Sequence, residues 1–226
     1  MKAFVIYKEG DEFSTSLANE CLLSAKQFNI DVELFPGVYS EINQKFEEEN
    51  LFVNMSCNGR IDKSGVKGCL LSHFYLWKLC VKLNEPLFIF EHDSLMINPL
   101  PIDVLDLFED YLNLDYNRKI YRKNLKGYND ELNNLNNPKI EIIKMDIANG
   151  SGFKFINRNH IVGAHGYIIK PEGAKKIIEG LLSDGAIPAD MAPNSKYVNM
   201  YHTNYTVVRV NPKMTQQMAK LSHTRN

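Results

Sequence analysis

The chain has 226 residues, of which 44% are hydrophobic, 11% aromatic and 23% charged, enough apolar material for one α/β domain with a continuous core. Its formal net charge is −1, so no global field draws it to nucleic acid or anionic lipid, which argues against non-specific binding of either. No run approaches the ~20 apolar residues of a membrane span, and the opening MKAFVIYKEGDEF is too short in apolar residues for a signal-peptide core; a soluble, cytoplasmic protein is expected.

Ala3 to Tyr7 is an apolar run flanked by charge and reads as a buried strand. Ser14 stands where it can cap the next helix, whose apolar positions Leu17, Cys21, Ala25 and Phe28 recur at helical spacing. A second strand is predicted from Asp31 to Phe35, closed by a Pro36-Gly37 turn. Strand, helix and strand in such quick succession make a βαβ unit, so the sheet should be parallel here. Residues 40–49 form a polar, acidic helix. The longest helical pattern runs from Gly65 to Leu83, with Cys69, His73, Leu76, Cys80 and Leu83 on one stripe and Trp77 beside it. Leu87 to Phe90 is a second buried run that ends abruptly in Glu91, His92 and Asp93.

Beyond Pro99 and Pro101, the positions Val104, Leu105, Phe108, Tyr111 and Leu112 predict a helix. From 113 to 137 asparagine, lysine and tyrosine displace apolar periodicity, the composition of a flexible insert or lid. Strands are expected from Ile140 to Met145, from Ile161 to Lys170 and from Tyr205 to Val210. Between the last two, Pro171 opens a helix whose inner face carries Ala174, Ile177, Ile178 and Leu181. Cys21, Cys57, Cys69 and Cys80 show no metal-ligand spacing and read as free thiols.

The strongest chemical signal is PLFIFEHD. A buried strand of an α/β sheet delivers its C-terminal residues to the ligand crevice. Glu91 and Asp93, at i and i+2, can there converge on a hard cation such as Mn²⁺ or Mg²⁺ together with phosphate oxygens; the bland alternative is an acidic, solvated turn. His92 would face the other way in an extended strand, which suits a structural role or a hydrogen bond to a ligand residue; if the chain turns there, His92 becomes a ligand itself. His73 lies on the apolar stripe and reads as a buried, hydrogen-bonded histidine. With no G-x-S-x-G elbow in the chain, Ser72-His73 does not suggest a hydrolase. Arg118, Lys119, Arg122, Lys123 and Lys126 interleave with Tyr116, Tyr121 and Tyr128, a pattern suited to a phosphate-rich acceptor or to a solvated loop.

GCLLSHFYLW, then LFIFEHD, then GAHGYIIKPEGAKKII occur in an order and spacing that resembles glycosyltransferase family 25. That family includes bacterial lipooligosaccharide sugar transferases and phage relatives. The blocks cover roughly residues 1–212; His92 stands where the family pattern has a third acid, and FVIYKEGDEFS departs from its usual N-terminal segment. The resemblance implies an α/β fold of the GT-A type, with a Rossmann-like, mostly parallel sheet flanked by helices. It implies one domain with a donor half at 1–100 and an acceptor half at 138–226 around the insert. It further implies inverting transfer from a nucleotide sugar, a UDP sugar first, with Glu91 and Asp93 on the metal. Asp190 becomes the candidate general base, and Tyr7, Lys8, Ser14, Ser72, His73, Glu91, Gln216 and Ser222 the candidate donor contacts, with His223 a late metal ligand. Arg118, Lys119, Arg122 and Lys123 would meet the acceptor. That acceptor is a cell-surface glycan or, as phage enzymes of similar build would need, a hydroxylated base in DNA. A sugar-nucleotide-binding protein without catalysis, or a nucleotidyltransferase, would share much of the same pattern.

Overall fold

The computed structural model describes residues 1–55, 61, 63–115, 141–145, 153–155, 158–160 and 163–214. Strand β1 (Lys2–Tyr7) leads into α1 (Glu12–Lys26) and back into β2 (Val32–Pro36), paired parallel to β1 as expected. Two helices follow, α2 (Ile42–Glu48) and the long α3 (Ser64–Leu83), and then β3 (Leu87–Glu91), which lies parallel to β1 on its other side. The remaining elements are β4 (Ser94–Met96), β5 (Tyr111–Asn113), β6 (Ile142–Lys144), β7 (Phe153–Phe155), β8 (Arg158–His160), β9 (Gly166–Ile169), α4 (Pro171–Asp184), β10 (Met200–Thr203) and β11 (Val208–Val210).

Among the described residues the main sheet has seven strands, in the order β2-β1-β3-β9-β5-β10-β6. It is mixed rather than mostly parallel. The pairs β1·β2, β1·β3 and β5·β10 are parallel, whereas β9 runs antiparallel to both its neighbours and β6 runs antiparallel to β10. Strands β4 and β11 form a separate antiparallel ribbon, as do β7 and β8.

Strand alternation builds two cores, one on each face. Phe4, Ile6, Leu87 and Ile89 pack with Leu70, Phe74 and Trp77 of α3 and with Ala174, Ile177 and Leu181 of α4. Ala3, Val5, Phe88 and Phe90 pack on the other face with Ala18, Cys21 and Ala25 of α1. Helices therefore cover both sides of the sheet, as an α/β fold requires. Cys21, Cys69 and Cys80 are free thiols, as expected, and Cys57 lies outside the described residues. Among the described residues no helix is long and apolar enough to cross a membrane.

Three local expectations are corrected. The first helix starts earlier than Ser14: Asp11 is its N-cap and accepts the Ser14 N–H at 3.0 Å. The helix expected over 104–112 is a single 3₁₀ turn (Val104–Asp106) followed by strand β5. Its apolar spacing fits a helix, but buried Asp110 interrupts it as a hydrogen-bonding hub. The carboxylate accepts from Lys176 Nζ at 2.9 Å and from the Asn199 N–H at 2.9 Å, and the Asp110 carbonyl accepts the Lys170 N–H at 3.0 Å. Finally, the last expected strand shortens to β11, and β10 precedes it in a stretch whose sequence showed no clear alternation.

The glycine at the head of the long helix has a steric reason. A Cβ at Gly68 would land on the Val38 carbonyl oxygen, with Ile42 Cδ1 at 3.2 Å. Gly68 thus lets α3 lie directly against the loop that follows β2. Gly68→Ala is expected to lower unfolding stability by about 1–3 kcal/mol through overpacking. Chemical denaturation measures it, and an unchanged midpoint would mean that the helix shifts freely.

Candidate active site

The parallel strands set the site's position. Ile6 pairs with Glu91 and Tyr7 with Pro36, so the loops after β1 and β2 and the end of β3 share one edge of the sheet. This C-terminal edge is where open α/β sheets bind ligands. Gly10, at φ 77°, turns the first loop toward α1, and the Lys8 N–H donates to Ser14 Oγ at 2.9 Å. The second loop is held to the first by the Gly37 N–H on the Tyr7 carbonyl at 2.8 Å. Ser72 supports it from below, accepting the Val38 N–H at 2.8 Å and donating to the Gly68 carbonyl at 2.7 Å. Burial, with Cys69 and Glu91 adding, pushes the half-exposed Tyr39 phenol up to about 12. Tyr39 is thus within electrostatic reach of Glu91, a neighbour that sequence reasoning missed.

Beyond Glu91 the chain turns at 92–93 instead of continuing as a strand, and this turn brings the two carboxylates together. His165 Nδ1 lies 3.2 Å from Glu91 Oε2 and 3.3 Å from Asp93 Oδ1. His165 is held there by its own backbone, whose carbonyl accepts the Glu91 N–H at 3.1 Å and the Ser94 hydroxyl. The Asp93 carbonyl accepts the Asn211 N–H at 2.6 Å, which joins the C-terminal segment to the same point.

Burial would lower the His165 pKa, but hydrogen bonds and charge from Asp93 and Glu91 outweigh it and push the imidazole up to about 11. Burial would likewise raise Glu91, yet His165 and His73 hold its carboxyl well below the usual carboxylate range. Two carboxylates this close, Asp93 buried and Glu91 partly so, favour a positive charge between them, which a protonated His165 can supply. A divalent cation meets the same need, and the ligand atoms of Glu91, Asp93 and His165 all lie within 4.8 Å of one another. Two oxygens and one imidazole nitrogen suit Mn²⁺ and, less closely, Mg²⁺. The residues present therefore fit a hard cation. Cys69, His73 and Glu91 form a second such group on the α3 side.

A third carboxylate stands close by. Asp115, just past β5, has its N–H on Asn113 Oδ1 at 2.9 Å, while Asn113 Nδ2 donates to the Gly163 carbonyl at 3.0 Å. Burial raises the Asp115 pKa; His165 lowers it and Asp93 and Glu91 raise it further, leaving it above the ordinary value. A Cβ added at Gly163 would lie 3.1 Å from Asp115 Oδ2 and 3.5 Å from His165 Cδ2, so Asp115 stands beside the cluster. Asp190 lies half-buried in the turn after Pro188, and its charge is felt at the Cys69 thiol next to Glu91.

The fold thus gathers Tyr7, Lys8, Ser14, Ser72, His73, Glu91, Asp93 and Asp190 toward one edge. Ser72 is engaged on both sides by backbone. His92 is half-buried in the turn and belongs to neither of the ligand groups. Arg118, Lys119, Arg122, Lys123, Gln216, Ser222 and His223 lie outside the described residues. His165 and Asp115 were missed, although His165 falls inside the GAHGYII block; before Asp115, Asn113 interrupts the apolar pattern.

Residues 15–192 match the family described as "Glycosyltransferase family 25 (LPS biosynthesis protein)". Over 177 residues the chain is 30% identical to the lipooligosaccharide biosynthesis protein lex-1 of Haemophilus influenzae, a match covering 74% of this chain and 54% of that protein. The chain therefore spans about half the length of the curated relative it matches. The matched region takes in Cys69, His73, Glu91, Asp93, Asp115, His165 and Asp190, while Tyr7, Lys8 and Ser14 precede it. With its carboxylate cluster, its helix block and its GAHGYII strand all inside that region, this chain belongs to glycosyltransferase family 25.

Proposed function

We propose that the chain is an inverting glycosyltransferase of the GT-A type, moving a sugar from a UDP-type donor to a glycan hydroxyl. The observation that carries this reading is the convergence of Glu91 and Asp93 at the C-terminal edge, with His165 between them. Family membership and the lipooligosaccharide relative support sugar transfer, and support a cell-surface glycan as acceptor. The partly antiparallel sheet, with its parallel donor-side strands β2, β1 and β3, is compatible with a GT-A arrangement.

Glu91, Asp93 and His165 would hold Mn²⁺ or Mg²⁺. Bound there, the cation supplies positive charge against the diphosphate that departs with the donor's nucleotide. The loop carrying Tyr7, Lys8 and Ser14 and the loop carrying Tyr39 flank the same edge and would hold the nucleotide. Asp190 would accept the proton of the acceptor hydroxyl as its oxygen attacks the anomeric carbon; the bond to phosphate breaks and configuration inverts. A binding protein without catalysis is the weaker reading, because the carboxylates retain a geometry suited to a cation despite His92.

Transfer with and without Mn²⁺, across a panel of nucleotide sugars and with a bacterial oligosaccharide acceptor, tests the proposal. No transfer with any donor would remove it. The basic segment at 116–128 allows a second acceptor, duplex DNA carrying hydroxylated bases, to be tested alongside. With a glycan acceptor, replacing Arg118, Lys119, Arg122 and Lys123 by Ser leaves transfer nearly normal at every salt concentration. With DNA, the same variant reduces the slope of log K against log[salt] by about 0.9 for each phosphate that the protein no longer neutralises. The glycan outcome is expected.

A further inference from the structure

Behind Glu91 a chain of hydrogen bonds ends on His73, and the proposed reaction does not use it. Trp77 Nε1–H donates to the Tyr167 hydroxyl at 2.9 Å, and that hydroxyl lies 2.8 Å from His73 Nδ1. Trp77, Tyr167 and His73 are each no more than 1% exposed. An indole N–H can only donate, so the Tyr167 oxygen is already an acceptor. The phenol hydrogen, sealed from water, then needs an acceptor of its own, and His73 Nδ1 is the group in reach. Were Nδ1 protonated, two N–H groups would meet at one oxygen and the phenol hydrogen would be stranded. His73 Nδ1 is therefore the acceptor, and the hydrogen of the neutral ring sits on Nε2.

Nε2 faces Glu91 Oε1 at 3.5 Å, longer than a normal hydrogen bond, and has no hydrogen-bond partner among the described residues. Leaving a buried N–H without a partner is costly, which favours an Oε1 that stays close to it. The Cys69 thiol addresses the same oxygen at 3.8 Å. Both donors thus claim Oε1, and Oε2 is turned toward His165. The same tautomer leaves His73 Nε2 without a lone pair for a metal, so Cys69, His73 and Glu91 are not a second cation site.

We propose that His73 is a positioning residue: Trp77 and Tyr167 fix its Nε2–H tautomer, which holds Glu91 Oε1 and presents Oε2 to the cation. This rests on Glu91 being a cation ligand. Side chains that orient a ligand from behind typically account for about 10–100-fold in metal affinity.

Two measurements test it. A long-range ¹H–¹⁵N spectrum of the metal-free wild type is expected to show His73 protonated at Nε2; protonation at Nδ1 overturns the proposal without any variant. Mn²⁺ affinity in the presence of UDP is then compared among folded variants. Tyr167→Phe keeps the ring packing but frees the tautomer, and is expected to show a mixed His73 spectrum and Mn²⁺ binding weakened about 10–100-fold. His73→Gln places an amide N–H near the Nε2 position, whereas His73→Asn places one near Nδ1, so the Gln variant should bind Mn²⁺ several-fold more tightly. Equal affinities for Gln and Asn, or an unchanged affinity in Tyr167→Phe, would make the chain merely structural and overturn the proposal. A wild type that shows the Nε2–H spectrum but binds no Mn²⁺ with UDP overturns the metal reading itself, and the two failures are thereby told apart.

Discussion

Asp93→Asn is expected to remove the Mn²⁺-dependent part of donor binding while leaving the fold intact. The side chain is buried against His165 at 3.3 Å, and the hydrogen bond that anchors the C-terminal segment uses the Asp93 carbonyl, which the substitution keeps. Asparagine preserves the shape but removes the charge that a hard cation needs. A donor and metal present at 100 times their dissociation constant stabilise the folded chain by about 2.7 kcal/mol; weakening that binding 100-fold reduces the gain to about 0.4 kcal/mol. Thermal denaturation with UDP, with and without Mn²⁺, reads this difference directly. Turnover should fall by at least about 10²–10³-fold, the range seen when one group that stabilises a developing charge is removed. Undiminished Mn²⁺-dependent stabilisation would move the cation away from Glu91 and Asp93, and the mechanism would lose its central element.

Glu91 and Asp93 could be read from the sequence because an apolar strand that stops in acids carries its own meaning. His165 could not, and the reason is topological. Strand β9 pairs antiparallel with β3, Phe90 lying opposite Gly166. The residue before β9 therefore meets the residue after the apolar run of β3. In the parallel sheet expected from the βαβ unit, the start of β9 would have fallen at the far edge, away from Glu91. The GAHGYII block reveals a strand but not its direction, and the ligand depends on direction. Asp115 is hidden for a different reason. The spacing of Val104, Leu105, Phe108, Tyr111 and Leu112 fits a helix, and a helix running to Leu112 has no strand end at which to look for a carboxylate. What breaks that helix is Asp110, whose partners Lys170, Lys176 and Asn199 come from remote parts of the chain. Local pattern cannot show such partners. The hydrogen-bond chain behind Glu91 is of the same kind: His73 and Trp77 are visible on one helix, but Tyr167 joins them only through the sheet.

Asp190→Asn is expected to lower kcat by about 10²–10⁴-fold with donor affinity nearly unchanged, because a general base acts only as the acceptor hydroxyl attacks. The structure gives this assignment a rival that the sequence did not offer. Asp190 sits in a turn that follows α4, half-buried, with its charge felt at Cys69. Asp115 lies beside the cluster, and burial together with Asp93 and Glu91 holds its carboxyl above the ordinary value despite His165. A carboxyl with a raised pKa is the better proton acceptor near neutral pH, but the charges that raise it belong to the cation site. A divalent cation there would offset those charges, though not the effect of burial, and so lower the Asp115 pKa, which suits Asp115 to holding donor hydroxyls. Asp190 belongs to neither group of ligand atoms, and its charge is felt at the thiol of Cys69. The two variants therefore differ in kind: Asp190→Asn lowers kcat alone, whereas Asp115→Asn raises the donor KM as well. Measuring kcat and donor KM for both variants at saturating Mn²⁺ decides between them. Near-normal turnover in Asp190→Asn, with the drop in kcat appearing in Asp115→Asn instead, would transfer the base to Asp115 and leave Asp190 as a turn residue.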